Sequence, residues 1–281
     1  MNKLLSAGFS RLWKNKVFWI GILLMSGMLI FVLVSNYRDM MRYSEEARVG
    51  YIPDTFLPGC FMFIGCFTSV FAALFLGTEY SDGTIRNKLV VGHSRISVYL
   101  SCLILCIVSS LLVCVAATLV TFLAGIPLFG LPLYPTVMLQ KFGIGILMVT
   151  AFSGIFTLPV MLIHNKSISS VVCIIGFFIL VFLSIYIMQR LEAPEFIDSS
   201  FVMSVDGEII PGDPFPNPSY LRGTTRSVYE FFADFLPTSQ SFRIVQSGAL
   251  PHPWRFCAYS SLTTVVSTLV GTLLFRKKDI K

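Results

Sequence analysis

Side chains able to carry out chemistry are few in this 281-residue sequence, and most stand apart from one another. The three histidines, His93, His164 and His252, are isolated, with neither an HExxH pair nor a Cys/His cluster to ligate a metal. No Gly is followed by Lys, so the phosphate-cradling GxxxxGK[ST] loop is absent and the chain is not expected to bind or hydrolyse ATP. Neither GxSxG nor a visible Ser/His/Asp set offers a nucleophile. The seven cysteines (60, 66, 102, 106, 114, 173 and 257) lie in or beside apolar runs without CxxC spacing, and read as small packing residues. One stretch does gather charge and turn formers, Gly77-Thr78-Glu79-Tyr80-Ser81-Asp82-Gly83-Thr84-Ile85-Arg86-Asn87-Lys88-Leu89-Val90-Val91-Gly92-His93-Ser94-Arg95. In it Asp82-Gly83 makes a turn, Thr84 to Val91 is long enough for two helical turns, Gly92 suits their stop and Ser94 can cap the next helix. Ile85, Leu89 and Val90 give this short helix an apolar face, a docking point for a partner protein, with Lys88 on the solvated side. Glu79 has Arg86, Arg11 and Lys14 as available partners.

The elements that must position this stretch can be read from composition. Hydrophobic residues make up 55% and charged residues only 13%, half of what a water-facing domain carries. Mean hydropathy is +0.77, and lipid is the solvent such a chain fits. A helix crossing a ~30 Å hydrocarbon core needs roughly 20 apolar residues. Six stretches qualify: 17–34, 56–76, 98–123, 142–163, 168–188 and 256–275, none containing Asp, Glu, Lys, Arg or His. The first is too long for a signal h-region and has no cleavage site after it, so it is expected to remain. The expected fold is an all-α integral membrane domain over 1–281, with six transmembrane helices, an N-terminal interfacial helix and short external helices before the last span.

Six spans put both termini on one side, where twelve basic residues meet three acids, a net of +9 against −3 on the other side. Basic residues beside short loops stay cytoplasmic, so both termini are expected inside. The net charge of +6 is therefore a topological signature, with no basic, aromatic-interleaved face for nucleic acid. Before the first span, Leu4, Leu5, Phe9, Leu12 and Trp13 recur at helical spacing with Lys3, Arg11, Lys14 and Lys16 between them. That stripe favours a helix lying on membrane lipid over a merely charged flank, because orientation by charge needs no apolar periodicity. The loop 125–141, broken by three prolines, is expected at the outer interface, with Tyr134 in the aromatic belt.

The external segment 189–255 carries a hairpin turn signal at Val205-Asp206-Gly207-Glu208 and an extended, proline-rich loop. Two amphipathic helical stretches come next, the first with Val228, Phe231, Phe232 and Phe235 on one face and Glu230 and Asp234 off it, ended by Pro237. Spans without ionisable groups speak against an ion-coupled pump. Thr150, Ser153 and Thr157 on one face of the fourth span are candidate substrate-path residues, the favoured alternative being close helix packing.

The charged stretch resembles the permease subunits of ATP-binding cassette transporters of the second type. In that family a Glu ends the second span, a Gly-Thr-x-Arg-x-x-Leu run comes after it, and a basic residue opens the third span. Here these are Glu79, Gly83-Thr84-Ile85-Arg86-Asn87-Lys88-Leu89 and Arg95, and Leu236-Pro237-Thr238-Ser239-Gln240 also looks like a family segment. The resemblance implies that Glu79, Asp82, Gly83, Thr84, Ile85, Arg86 and Leu89 belong to a coupling loop seated in a groove of a separate ATPase subunit. ATP and Mg would be bound there, leaving this chain without a cofactor. It further implies a translocation pathway formed with a second or related permease, and an exporter in a bacterial cytoplasmic membrane. The rival reading is a non-transport membrane protein, a sensor partner or assembly factor, on the same fold.

Overall fold

A computed structural model describes residues 1–43, 53–131, 134–203, 209–245, 250 and 252–278, with side chains described except at 53–58 and 198–213. Helix α1 (Asn2–Lys14) meets α2 (Lys16–Met40) at Asn15, whose extended backbone breaks the helix. The Asn15 side chain then caps α2 by accepting from the amides of Val17 (2.8 Å) and Phe18 (3.3 Å). Helix α3 (Pro53–Ser81) runs into Gly83, whose φ of 67° is the left-handed turn that starts α4 (Thr84–Val90). Ser94 caps α5 (Arg95–Val120) through the Ser97 amide.

Beyond α5 the sequence expectation of a proline-broken loop from 125 is corrected. The helix continues through a π turn (Thr121–Gly125) into α6 (Ile126–Phe129). Pro127 sits in the first turn of α6, directly after a π turn that already departs from the regular ladder. Pro135 likewise opens α7 (Pro135–Leu162), so this span begins seven residues earlier than expected and takes in Lys141, which is buried. Asn165 caps α8 (Lys166–Glu192).

Strands β1 (Phe196–Met203) and β2 (Ile209–Pro216) pair antiparallel, so the proline-rich stretch expected as loop is a strand. Prolines are tolerated there because a two-stranded ribbon is all edge. The turn signal at 205–208 lies outside the described residues. Helices α9 (Gly223–Phe235), α10 (Pro237–Val245) and α11 (Pro253–Lys277) complete the chain. Six of these helices are long and apolar enough to span a membrane, and the protein is an all-α integral membrane protein.

Helices α3 and α7 form the centre of the bundle, with about two thirds of each buried. Lipid offers helices no hydrophobic drive to associate, so close approach and hydrogen bonding must hold them. A Cβ on Gly145 of α7 would collide with the Phe61 ring of α3, and one on Gly154 with the Ser267 hydroxyl of α11. Between α3 and α5, Thr68 and Ser110 share a hydroxyl hydrogen bond of 2.8 Å. Large apolar side chains on α2, α8 and α11, among them Leu23, Phe31, Phe182 and Leu273, stay exposed for lipid.

At the end of the bundle away from the termini, α10 packs against α3, α7 and α8. The Phe231 and Phe232 face of α9 is outward, whereas Asp234, off that face, is buried and bonded to Arg243, with Arg255 at 3.8 Å. Burial pushes the Asp234 carboxyl up, while the two guanidinium groups pull it down. Gln240 donates to the Asp234 carbonyl (2.7 Å) and accepts from Ser260 (2.7 Å). Ser184, Thr238 and Ser239 share hydroxyl bonds of 2.6 and 2.8 Å. The two helices before the last span are thus sewn into the bundle by polar groups.

Two glycines on one helix test the packing. Gly143→Ala meets no atom within 4 Å and should be neutral or raise stability by up to ~1 kcal/mol, since Ala favours helix. Gly145→Ala should lower stability by about 1–3 kcal/mol through overpacking against Phe61, read as a drop in thermal unfolding temperature in detergent.

Candidate functional site

Helix α1 buries Leu4, Gly8 and Leu12. Arg11 stands about two helical turns after Leu4 and directly before Leu12, so α1 delivers its guanidinium to the end of α3. There Nη1 donates to Glu79 Oε1 at 2.6 Å, Nη2 donates to the Phe75 carbonyl and to Thr78 Oγ1 (3.0 Å), and the group lies 4.4 Å from the Phe75 ring centroid. Cation and ring attract each other through the quadrupole of the aromatic face.

Glu79 itself is 1% exposed. Its second oxygen accepts from Lys88 Nζ of α4 at 2.7 Å, and the Cys102 thiol of α5 points at the same oxygen from 3.6 Å. Lys88, expected in solvent, is therefore turned inward with 15% of its side chain exposed. One carboxylate joins three helices through two cations.

Helix α4 turns two of its three expected docking residues inward and leaves Val90 out. Ile85 is 1% exposed and packed in the main core, with Leu89 half-buried against it. The two residues expected to anchor a partner thus face their own chain. Ile85, Lys88 and Leu89 fall at i, i+3 and i+4, so they share one side of the helix. The side left outward holds Arg86, Asn87, Val90 and Val91, with the two valines 78% and 77% exposed. Asp82 is exposed at the turn, and Gly83 and Thr84 are half-buried. Glu79 pairs with Arg11, one of its three expected candidates, rather than with Arg86 or Lys14.

On α1, Leu12 is buried, Leu5 and Phe9 are half-buried, and Trp13 is exposed beside Trp19, whose indole N–H donates to the Trp13 carbonyl at 2.8 Å. The helix thus rests on α5 through Leu4, Gly8 and Leu12 while offering Trp13 outward. Around the same end, Lys278 donates to the carbonyls of Met161 (3.2 Å) and Leu162 (2.7 Å), and Tyr80 also donates to Met161. Arg95 donates to the carbonyls of Arg276 (3.3 Å) and Lys278. These bonds satisfy helix-terminal carbonyls that lipid-buried ends would leave orphaned.

A family profile described as "ABC-2 family transporter protein" matches residues 4–184, which hold Arg11, Glu79, α4 and the first four complete spans. The chain belongs to the ABC-2 transporter family. No curated protein matches the sequence. As an ABC-2 protein it is a multi-pass membrane permease of an ABC transporter, the membrane component and not the catalytic one. Members of the family work in general with an ABC ATPase subunit.

The ABC-2 match gives no role to individual residues, and the substrate-path candidates fare poorly in the geometry. Ser153 and Thr157 are completely buried, and Thr150 lies 3.3 Å from Thr264 of α11. Thr150 thus meets α11, while Ser153 and Thr157 lie inside the bundle. Lys88 escapes a sequence reading because a cation between apolar neighbours looks solvated. Its spacing from Ile85 and Leu89 is the signal that could find it.

Removing one member of a buried pair strands the others, at a cost of about 3–5 kcal/mol. Glu79→Ala leaves two cations facing each other and should be the most damaging of three substitutions. Arg11→Ala and Lys88→Ala should each destabilise less, since one cation remains. The double variant should lose more than the sum of the singles, because Glu79 is then buried alone. Thermal unfolding of the unmodified protein and these four variants, the double being Arg11→Ala with Lys88→Ala, in one detergent measures the order and the cycle.

Proposed function

We propose that this permease forms the translocation pathway of a bacterial ABC exporter, as a pair of copies or with a related permease, driven by a separate ATPase that binds ATP and Mg. The observation that supports this reading is the attachment of α4. It is bound to α1 and α3 through Lys88, Glu79 and Arg11, yet keeps Val90 and Val91 uncovered beside Arg86 and Asn87. A short helix with a rigid inner face and an apolar outer face suits the transmission of movement from a partner. When ATP draws two ATPase subunits together, a push on Val90 and Val91 passes through the ion triad to α3 and α1 as one unit. A loop serving only as a topological signal would need no buried carboxylate. Both termini, α4 and the Lys166 loop then lie in the cytoplasm, in keeping with their excess of basic residues. The lipid-facing surface suits an amphipathic or apolar cargo drawn from the bilayer.

Two measurements test this. Val90→Asp with Val91→Asp should insert and unfold like the unmodified permease but lose co-purification with the ATPase by at least tenfold. Ile85→Asp should instead fail at folding, since it buries a charge in the core. If the valine double variant still assembles and transports, the outer face of α4 is not the ATPase contact. For orientation, reporter fusions at His93 and Lys166 should read cytoplasmic and a fusion at Asp213 external. The reverse pattern would remove α4 from the reach of any cytoplasmic ATPase.

A further inference from the structure

Between α2 and α3 lies a groove of about 420 Å³ with only apolar side chains along it, among them Ile20, Leu24, Phe63, Phe67 and Phe71. Its floor passes Gly21, where any Cβ would strike the Phe67 ring, so glycine here keeps the two helices close and the channel shallow. Along α2 it runs from Val17 to Met28. At ~1.5 Å per residue this is about 16 Å, the depth of one leaflet's hydrocarbon in a ~30 Å core.

The end nearer the termini is charged. Lys16 stands one helical turn before Ile20 and two before Leu24, in the same row, and Lys14 precedes it across Asn15. Both lysines are exposed and neither is in an ion pair among the described residues. The nearest cation, Arg11, is by contrast already held by Glu79. Trp13 and Trp19, with ring centroids 5.8 Å apart and each about half exposed, sit at the same level, where amphipathic rings mark the lipid interface.

We propose that this groove seats one anionic phospholipid of the leaflet on the side of the termini, its acyl chain along Gly21 and its phosphate between Lys14 and Lys16. An α-helix ~10–12 Å across does not fit a groove of this volume and length, whereas one hydrocarbon chain does. The unpaired lysines select the sign of the headgroup. The site concerns lipid recognition alone and stands whether or not α4 contacts an ATPase.

The test uses the full chain, with any ATPase that co-purifies, stripped of lipid in mild detergent. Phosphatidylglycerol and phosphatidylcholine with matched acyl chains are then offered separately, and native mass spectrometry counts the adducts. One phosphatidylglycerol per chain should persist at concentrations at least tenfold below those phosphatidylcholine needs, as expected of two basic residues at a lipid surface. Lys14→Gln with Lys16→Gln should bring the two lipids within about twofold. Leu24→Trp, on the exposed rim of the groove, should lower retention of both by about tenfold, with Ile20→Trp as a second filling variant should the first elute abnormally. Equal retention of both lipids by the unmodified chain, or a preference surviving the lysine changes, would overturn the proposal. So would filling variants that hold lipid normally, whether inert or dissociating paired chains, the latter making the groove a seat for a second copy.

Discussion

A carboxylate withdrawn from water at the end of α3 places a demand on everything around it. A carboxylate withdrawn from water without a partner is costly, so the groups that face it matter. Arg11 and Lys88 divide its two oxygens between them, one from a helix preceding the first span and one from a helix after the second. Their reach fixes where α1 and α4 may lie. Helix α1 must lean on α5 with Gly8 against Leu105 to bring Arg11 in, and α4 must roll Ile85 into the core to bring Lys88 in. The outward surface of α4 is then the remainder, Arg86, Asn87, Val90 and Val91. The surface available to a partner is set by an ion cluster on the other side of the same helix.

Much of this architecture is legible in the residues, because lipid imposes strong rules. The six spans, the breaks at Gly83 and Gly92 and the cap at Ser94 can be read from hydropathy and turn chemistry. Prolines mislead in two places. Pro127 and Pro135 read as loop formers, yet Pro135 opens a helix, where the absent amide has no bond to lose, and Pro127 follows directly on a π turn that already departs from the regular ladder. The site is legible in composition and position but not in facing. Seven residues of α4 are too few for periodicity to distinguish a face turned to its own chain from one turned to a partner. Likewise, Asp234 reads as the polar side of α9 because no local pattern announces Arg243 and Arg255 from the next two helices.

The two ends of the bundle use the same device. Near the termini, Glu79 lies between Arg11 and Lys88. At the far end, Asp234 lies between Arg243 and Arg255. Each acid is nearly sealed, and each draws its bases from neighbouring elements. Between these ends the helices meet through glycines, hydroxyls and aromatic rings, such as Gly145 with Phe61, Thr68 with Ser110 and Phe18 with Phe71.

That distribution bears on how force would travel. Ion clusters are stiff, because pulling either cation away exposes a bare charge to a poor solvent. Dispersion contacts between rings and small residues are individually weak and can be exchanged as one helix shifts against another. A displacement of α4 therefore carries α3 and α1 together at the end near the termini. At the other end α9, α10 and α11 are joined through Asp234, Gln240 and Ser260, and α10 is tied as well to α8 through Thr238 and Ser184. Helix α7 packs on both α3 and α11. Its contact with α11 runs through Thr150 with Thr264 and Gly154 with Ser267, small side chains and a single hydroxyl bond that can re-form after a short shift. The Thr150 hydroxyl, which reads as a lining for substrate, is in this packing part of that contact between helices.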